Sequence, residues 1–484
     1  MDEATMADGK RGSGRGPRPG IGLGAVLAFL LLATGCRYTA APADLLQKPS
    51  ISPGKQAIVT AVEKTLPAYS KLTLPLREEH TEAIRLVDVD GDGTEEAIVT
   101  YYNEYSTPEI MAFKYTASAW RSWVLLQQPL ARQIAWLKFE DLDADGRPEL
   151  IAGWIGGFDS PNVLEIYSFR SKPVRNEAGK LTLRPLESLP YSYAETGDLN
   201  DDGKPELAVI SETGTSKEVS VPEFRLSLYN WKNGGLEPIA ATEVFSDVNA
   251  YDRLIMGKVS PRHYGIILEA SVGAHGTYTA MYAWEKGRLR LVYPSPGEGQ
   301  GGISGKPTMS RDMNGDGILE MQWTREASGY PNVPYSDSIW INDWMQWDGR
   351  EGFTKKTEEF SDYRYGVRLR IPEPWFGRYT LNKPKDEAYA IVEAEYMNRR
   401  TGAKAGLATL YAVPEKQWEN VLASWKQSSR SYEQLLTDSG NVFAISFAKE
   451  APAGWLAEDR QAFADMAAEG KRFASSLTIR SDFQ

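Results

Sequence analysis

Four stretches of this chain gather oxygen-bearing side chains at one fixed spacing. They read Asp88-Val-Asp-Gly-Asp-Gly-Thr-Glu-Glu96, Asp141-Leu-Asp-Ala-Asp-Gly-Arg-Pro-Glu149, Asp198-Leu-Asn-Asp-Asp-Gly-Lys-Pro-Glu206 and Asp312-Met-Asn-Gly-Asp-Gly-Ile-Leu-Glu320. In each, an acid or amide stands at the first, third and fifth positions, a glycine at the sixth and a glutamate at the ninth. Three oxygens close together on a sharply turning loop suit a hard cation such as Ca²⁺, and the glycine allows the turn. An EF-hand would place a glutamate at the twelfth position, where this chain has Val99, Ala152, Val209 and Trp323. These are therefore not EF-hands. Acidic β-turns also favour Asp-Gly, but turn chemistry alone does not require one five-position pattern four times.

The loops are evenly laid out. Their first aspartates are 53 and 57 residues apart, and 114 residues then separate Asp198 from Asp312. Because 114 is twice 57, a further repeat belongs between them. Gly257-Lys-Val-Ser-Pro-Arg-His-Tyr-Gly-Ile-Ile-Leu268 aligns there with Gly197–Ala208, its acids replaced by Lys258, Ser260 and Arg262. Aromatic pairs follow every loop, at Phe113/Tyr115, Tyr167/Phe169, Tyr229/Trp231, Tyr282/Trp284 and Trp344/Trp347. Five repeats with a period of about 55 residues match one four-stranded propeller blade each.

The loop pattern resembles the FG-GAP/VCBS family of integrin-like β-propellers. That resemblance implies a mainly β fold, a propeller of about five blades over residues 81–360, with the fourth blade lacking its metal loop. It also implies up to four structural Ca²⁺ ions. The expected ligands are the side chains at positions one, three, five and nine and the backbone carbonyl at position seven. They are Asp88, Asp90, Asp92, Thr94 and Glu96; Asp141, Asp143, Asp145, Arg147 and Glu149; Asp198, Asn200, Asp202, Lys204 and Glu206; and Asp312, Asn314, Asp316, Ile318 and Glu320. Asn200 and Asn314 each remove one negative charge, so their loops should bind more weakly than the first two.

Within a blade the expected order is strand, loop, strand, then two outer strands. For the first these are Ala83–Val87, Glu96–Tyr102, Glu109–Tyr115 and Trp120–Gln127. Second strands such as Ala97-Ile-Val99, Leu150-Ile-Ala152 and Leu207-Ala-Val-Ile210 are continuous apolar runs, as expected where sheets are covered on both faces. Two glycine-rich stretches, Gly153–Ser160 and Gly297–Gly305, read as blade connections without the lysine and hydroxyl of a phosphate loop. Trp154 stands out there as an aromatic able to stack on a sugar.

Beyond 360 the repeat stops. Residues 361–484 read as a small α+β C-terminal domain able to fold alone. Its strands are expected at Tyr365–Ile371, with Arg368 and Arg370 outward, Ala388–Tyr396, Gly406–Val413 and Val442–Phe447. One helix should follow Pro414 and another should run from Leu456 to Ser476.

At the other end, residues 1–35 read as a lipoprotein signal peptide. Basic residues precede a twelve-residue apolar run, Ile21–Leu32, too short to span a bilayer, which needs roughly 20 residues. The following Ala33-Thr-Gly-Cys36 resembles the lipobox of bacterial lipoproteins, which implies a lipid on Cys36, the chain's single cysteine, and a place on the outer face of a membrane in the cell envelope. Residues 36–80 supply a tether and a short helix, with Ser52 as cap, Pro53 at its start and Ile58, Val62 and Leu66 on one face.

Charge and missing chemistry bound the function. A formal net charge of −11 argues against nucleic acid as partner. His80, His263 and His275 show no zinc spacing, no Gly-x-Ser-x-Gly elbow exists, and lipidation would use the one thiol. His80 and His263 are expected in solvent. The reading is thus a non-enzymatic, lipid-anchored surface scaffold presenting a propeller face to an envelope protein or glycan. An extracytoplasmic polysaccharide-active lyase or hydrolase is the alternative, marked by Arg, His or Tyr clustered with acids at the central mouth.

Overall fold

The computed structural model describes residues 53–77, 79–158, 160–215, 222–295, 301–328, 338–384 and 387–479. Cys36 and the apolar run before it lie outside these residues. Among the described residues no helix is long and apolar enough to cross a membrane. The chain divides at Thr60 into two units, within helix α1 (Pro53–Thr65), where Ile58 and Val62 are buried one turn apart.

Among the described residues, six antiparallel sheets of four or five strands and one two-stranded hairpin follow. The first takes β1 (Lys71–Leu72), β2 (Ile84–Val87), β3 (Glu96–Tyr102), β4 (Pro108–Thr116) and β5 (Ala119–Gln127), with β1 and β2 sharing one edge of β3. The second runs β6 (Ala131–Glu140), β7 (Glu149–Gly156) and β8 (Val163–Tyr167). After a hairpin of β9 (Val174–Arg175) and β10 (Leu181–Thr182), β11 (Glu187–Pro190) completes it. In the third, β12 (Tyr193–Gly197), β13 (Glu206–Thr215), β14 (Pro222–Lys232) and β15 (Gly235–Val244) pair in chain order.

The fourth sheet repeats that order with β16 (Ala250–Ser260), β17 (His263–Val272), β18 (Gly276–Glu285) and β19 (Arg288–Tyr293), and β20 (Ile303–Ser304) also pairs with β18. The fifth begins with a single bridge, Arg311 to Glu320, then β21 (Met321–Glu326), β22 (Trp340–Trp347), β23 (Phe353–Asp362) and β24 (Val367–Ile371). The sixth orders β25 (Tyr379–Asn382), β26 (Ala390–Met397), β27 (Lys404–Pro414), β29 (Asn441–Phe447) and β28 (Ser431–Asp438). Helices α2 (Glu415–Gln427), α3 (Ala457–Ala468) and α4 (Gly470–Ser475) accompany it, and β30 (Thr478–Ile479) returns to pair with β24 in the fifth sheet.

Hydrophobic clusters fill the spaces between consecutive sheets. Alternation along the second strands explains how. On β7, Leu150, Ala152 and Trp154 face the first sheet, while Ile151 faces the third. On β13, Leu207 and Val209 face the second sheet, Ala208 and Ile210 the fourth. A continuous apolar run is what a strand covered on both faces requires. The aromatic pairs stand on or just after the third strands, and most are core: Phe113, Tyr167, Phe169, Tyr282, Trp344 and Trp347 are all buried.

Several expectations need correction. Gly153–Gly156 lie inside β7, and Trp154 is wholly buried in the core between the first two sheets, so it offers no sugar platform. Arg368 is also buried, beside Glu359 at 3.8 Å. The boundary expected at 361 falls within β23, which pairs with β24. One core runs across it, joining Ile341 and Phe360 to Trp375, Leu410, Phe463 and Phe473. The helix expected over 456–476 is two, broken at Glu469.

Candidate functional site: four acidic loops and an inner cluster of charges

All four loops share one hydrogen-bond plan. The first aspartate caps the turn: its Oδ2 accepts the N–H of the sixth-position glycine, at 3.0 Å from Gly93 and 2.8 Å from Gly146, Gly203 and Gly317. The fifth-position carboxylate accepts the N–H of position seven, over 2.8–3.0 Å at Thr94, Arg147, Lys204 and Ile318. The ninth-position glutamate turns back, and one oxygen accepts the N–H of position two at 2.8–3.2 Å. Register agrees, since Val87, Glu140, Gly197 and Arg311 each pair with the ninth residue of their own loop.

That glutamate is the chemically unusual member. Glu96, Glu149, Glu206 and Glu320 are each 2 % exposed or less. Burial pushes the Glu96, Glu149 and Glu320 carboxyls up to about 7, and raises Glu206 as well. A buried carboxylate needs a compensating positive group or a proton. In the first two loops, oxygens of Asp88, Asp90 and Glu96, and of Asp141, Asp143 and Glu149, lie within 4.8 Å of one another. Asp90 Oδ1 is buried without a hydrogen-bond partner. These residues fit a hard cation held by carboxylates.

Each loop also receives nitrogen donors, some from its own third-position amide and some from residues beyond the motif. Lys114 on β4 bonds to Asp90, and Arg170 bonds to Asp145. In the third loop Asn200 Nδ2 donates to Glu206 at 2.7 Å. In the last, Asn314 and Gln346 both donate to Glu320, at 3.1 and 3.0 Å. Sequence reasoning missed Lys114 and Gln346 on later strands and Arg170 in the turn after β8, 24 to 30 residues from the acids they reach. It also missed the fourth position, which is left-handed in every loop: Gly91, Ala144, Asp201 and Gly315 have φ of 72°, 60°, 62° and 80°.

The repeat between residues 198 and 312 carries no such loop. Gly257 pairs with Gly265, one residue sooner than in the other repeats, so the ungapped alignment slips by one. Gly265 takes the glutamate's place, where a Cβ would fall 2.2 Å from the Tyr282 carbonyl oxygen. His263, expected in solvent, instead contacts the Ser260 hydroxyl at 2.8 Å and leans on Trp347 with ring centres 5.0 Å apart. The turn still joins its neighbours. Tyr264 donates its hydroxyl to Asp201 at 2.7 Å, and Leu319 N–H reaches the Lys258 carbonyl at 2.7 Å.

A second constellation lies on the first strands of the sheets. Residues 76 and 77 run beside β6, their N–H groups donating to the Ile134 and Ala135 carbonyls at 3.0 and 3.1 Å. This places the Arg77 guanidinium between the rings of Trp136 and Tyr193, 4.3 and 4.0 Å from their centres, with Glu195 at 3.2 Å. Lys138 shares Glu195 at 2.7 Å. His80, contrary to expectation, is buried: its Nε2 accepts the Leu137 N–H at 3.2 Å. Burial first, then Arg85 and Arg77, push its imidazole down to about 4.

Further round, Arg253 pairs with the buried Glu269 at 2.7 Å, and Ser310 N–H donates to that carboxylate at 2.7 Å. Arg, His, Tyr and acids thus do cluster here. They chiefly satisfy one another, and the His80 lone pair is taken by backbone.

No family model matches the chain, and no curated protein matches it. Among solved structures, the exotype rhamnogalacturonan lyase YesX is 13 % identical with a TM-score of 0.27, covering 71 % of this chain and 68 % of that one. The Bacillus licheniformis rhamnogalacturonan lyase PL11 is 11 % identical with a TM-score of 0.28, covering 70 % of this chain and 71 % of that one. Likenesses this slight carry no argument about reaction or ligand. What stands is a mostly β protein of several sheets with a small C-terminal helical region.

Proposed function

We propose that the chain is an exported, lipid-anchored scaffold whose first five sheets are the blades of a Ca²⁺-stabilised propeller presenting a binding face to an envelope protein or glycan. The observation that carries the metal is the buried ninth-position glutamate, repeated four times on one hydrogen-bond plan beside an aspartate at position one and an acid or amide at position three. Serial packing of sheets, each cluster bridging one sheet and the next, supports the blade reading. Cys36 would carry the lipid, as its position after Ala33-Thr-Gly suggests.

Calorimetric titration of the chelator-treated mature protein with Ca²⁺ tests the metal. Uptake of two to four ions and a higher melting temperature are expected; no heat and an unchanged melt would overturn it. Acyl labelling of wild type against Cys36→Ala tests the anchor, and a pull-down from envelope extract tests the binding role.

A polysaccharide-active lyase or hydrolase is the second reading, and one observation favours it: the cluster of Tyr193, Glu195 and Arg253 on β12 and β16 with Arg77 and His80 from the segment before β2. Assay of the purified protein for new reducing ends or unsaturated uronate decides between the two. Activity lost in Tyr193→Phe or Arg253→Gln would replace the scaffold reading.

A further inference from the structure

We propose that the first two sheets rest on a phospholipid membrane by the end opposite their acidic loops. An exposed apolar ridge there enters the acyl boundary, and two cations meet the headgroups. This rests on the reading of Cys36 as a lipid anchor, and it assigns which way the anchored molecule faces.

Register sets the place. Lys71 and Leu72 pair with Tyr102 and Tyr101, at the far end of β3 from Glu96 of the first loop. From there an extended segment crosses to the second sheet. The Thr73 N–H donates to the Thr100 carbonyl at 3.0 Å, and the Leu76 N–H to that of Ile134 at 3.0 Å. Every second residue points outward, so Leu72, Leu74 and Leu76 are 48, 46 and 54 % exposed while Pro75 between them is buried. Tyr69 precedes this ridge, Tyr105 stands in the turn between β3 and β4, and Leu130 leads into β6; they are 89, 81 and 65 % exposed. The Leu130 carbonyl accepts the Gly157 N–H at 2.9 Å, which brings the fully exposed Phe158 close by. Ala131 pairs with Gly156, so this turn too lies at the end of β7 away from Glu149.

The occupant must suit both shape and charge. Single exposed apolar residues need no explanation, but seven large ones gathered at one end do. Rings that stand this far clear of the surface offer a partner protein no groove to fill, and they suit a fluid phase that closes round them. Beside them is a hollow of about 680 Å³ lined by Tyr69, Lys71, Tyr102 and Arg132, with Glu104 as its one acid. Among the described residues neither Lys71 nor Arg132 is paired with an acid, which leaves both cations for lipid phosphates. Leucine and phenylalanine flanked by tyrosine, lysine and arginine make the composition of a surface that lies at the headgroup boundary. Leu72 also belongs to the first described strand after Cys36, so the anchored chain enters its sheets through this ridge. With this end on the membrane, the first two acidic loops point away from it.

Cys36 is the chain's single cysteine and is blocked once acylated, so a cysteine introduced elsewhere can be labelled alone. The mature lipidated protein, with an environment-sensitive fluorophore at Leu130→Cys, is placed in vesicles of phosphatidylethanolamine and phosphatidylglycerol. Ser122→Cys is the control, because Ser122 pairs with Phe113, which pairs with Ala97 beside the first loop. A blue shift and quenching by spin-labelled lipid are expected at Leu130→Cys and absent at Ser122→Cys. Leu72→Ser, Leu74→Ser and Leu76→Ser together should abolish most of that quenching, with an unchanged melting temperature as the check on folding. Lys71→Gln with Arg132→Gln, or phosphatidylcholine in place of phosphatidylglycerol, should weaken it. Quenching that is absent, equal at both labels, or unaffected by the three leucine substitutions would overturn the proposal. A Leu130→Cys label already shielded before vesicles are added would overturn it too, by showing protein over this end. Lack of an acyl group on Cys36 would remove the anchor reading as well, whereas acylated protein without quenching removes this docking face alone.

Discussion

Arg77 holds Glu195 at 3.2 Å from 118 residues earlier in the chain, with its guanidinium layered between Trp136 and Tyr193. A segment ahead of the first repeat is thereby tied to the second and third sheets. Because Lys138 also serves Glu195, loss of Arg77 does not orphan the acid. Arg77→Ala is expected to cost about 1–3 kcal/mol, mostly in the two lost ring contacts. Arg77→Lys should recover only part of this, since an ammonium lacks the flat face. Chemical denaturation of the three proteins checks both statements.

His80 sets a pH dependence. Its imidazole titrates at about 4 in the fold against about 6.5 when unfolded. Between those values the unfolded chain binds more protons, so stability is fully present above pH 6.5 and falls as pH drops toward 4. The expected loss is roughly 1–3 kcal/mol over that window. Denaturation midpoints from pH 7 to pH 4 should slope less in His80→Gln than in wild type.

In the second loop, Ala144 occupies a left-handed position, with φ of 60°, where two of the other loops use glycine. Ala144→Gly should relieve that strain and raise stability by about 0.5–1 kcal/mol despite the greater freedom of the unfolded chain. A thermal melt in chelator reads the difference.

Lys114 competes with any cation at the first loop, since it bonds to Asp90 and lies 3.8 Å from both Asp92 and Glu96. Lys114→Gln is expected to tighten Ca²⁺ binding at that loop by about tenfold, the effect of removing one like charge near a partly exposed site. Terbium luminescence titration gives the affinity directly.

The fifth and sixth sheets should melt together. Phe360, on the repeat side of residue 361, belongs to the same core as Phe463 and Phe473. Phe360→Ala is expected to cost about 3–5 kcal/mol and to shift one shared calorimetric transition, not one of two.

Much of this fold was legible in the residues. The four strands around the first loop sit within two residues of expectation because loop, apolar run and aromatic pair each bound them. Second strands read correctly because two-sided burial leaves no polar position. Errors arose where a distant element set the environment. Arg368 read as outward from alternation alone, but it is buried beside Glu359 of the neighbouring strand. His80 sits in a run of charged residues, and only its placement against β6 buries it. Trp154 stood among glycines that suggested a loop; those glycines are in a strand, and a Cβ at Gly153 would fall 2.3 Å from the Tyr191 hydroxyl.

The return of β30 to the fifth sheet bears on how the molecule is made. Sheets one to four each draw their strands from one uninterrupted stretch of sequence, so each can form as soon as its own residues emerge, N-terminal end first. The fifth cannot, because Val367 and Arg368 wait for Ile479 and Thr478. That sheet is finished only after residues 478 and 479 have been made. Until then β24 exposes an unpaired edge, the kind of surface on which incomplete chains pair with one another and aggregate.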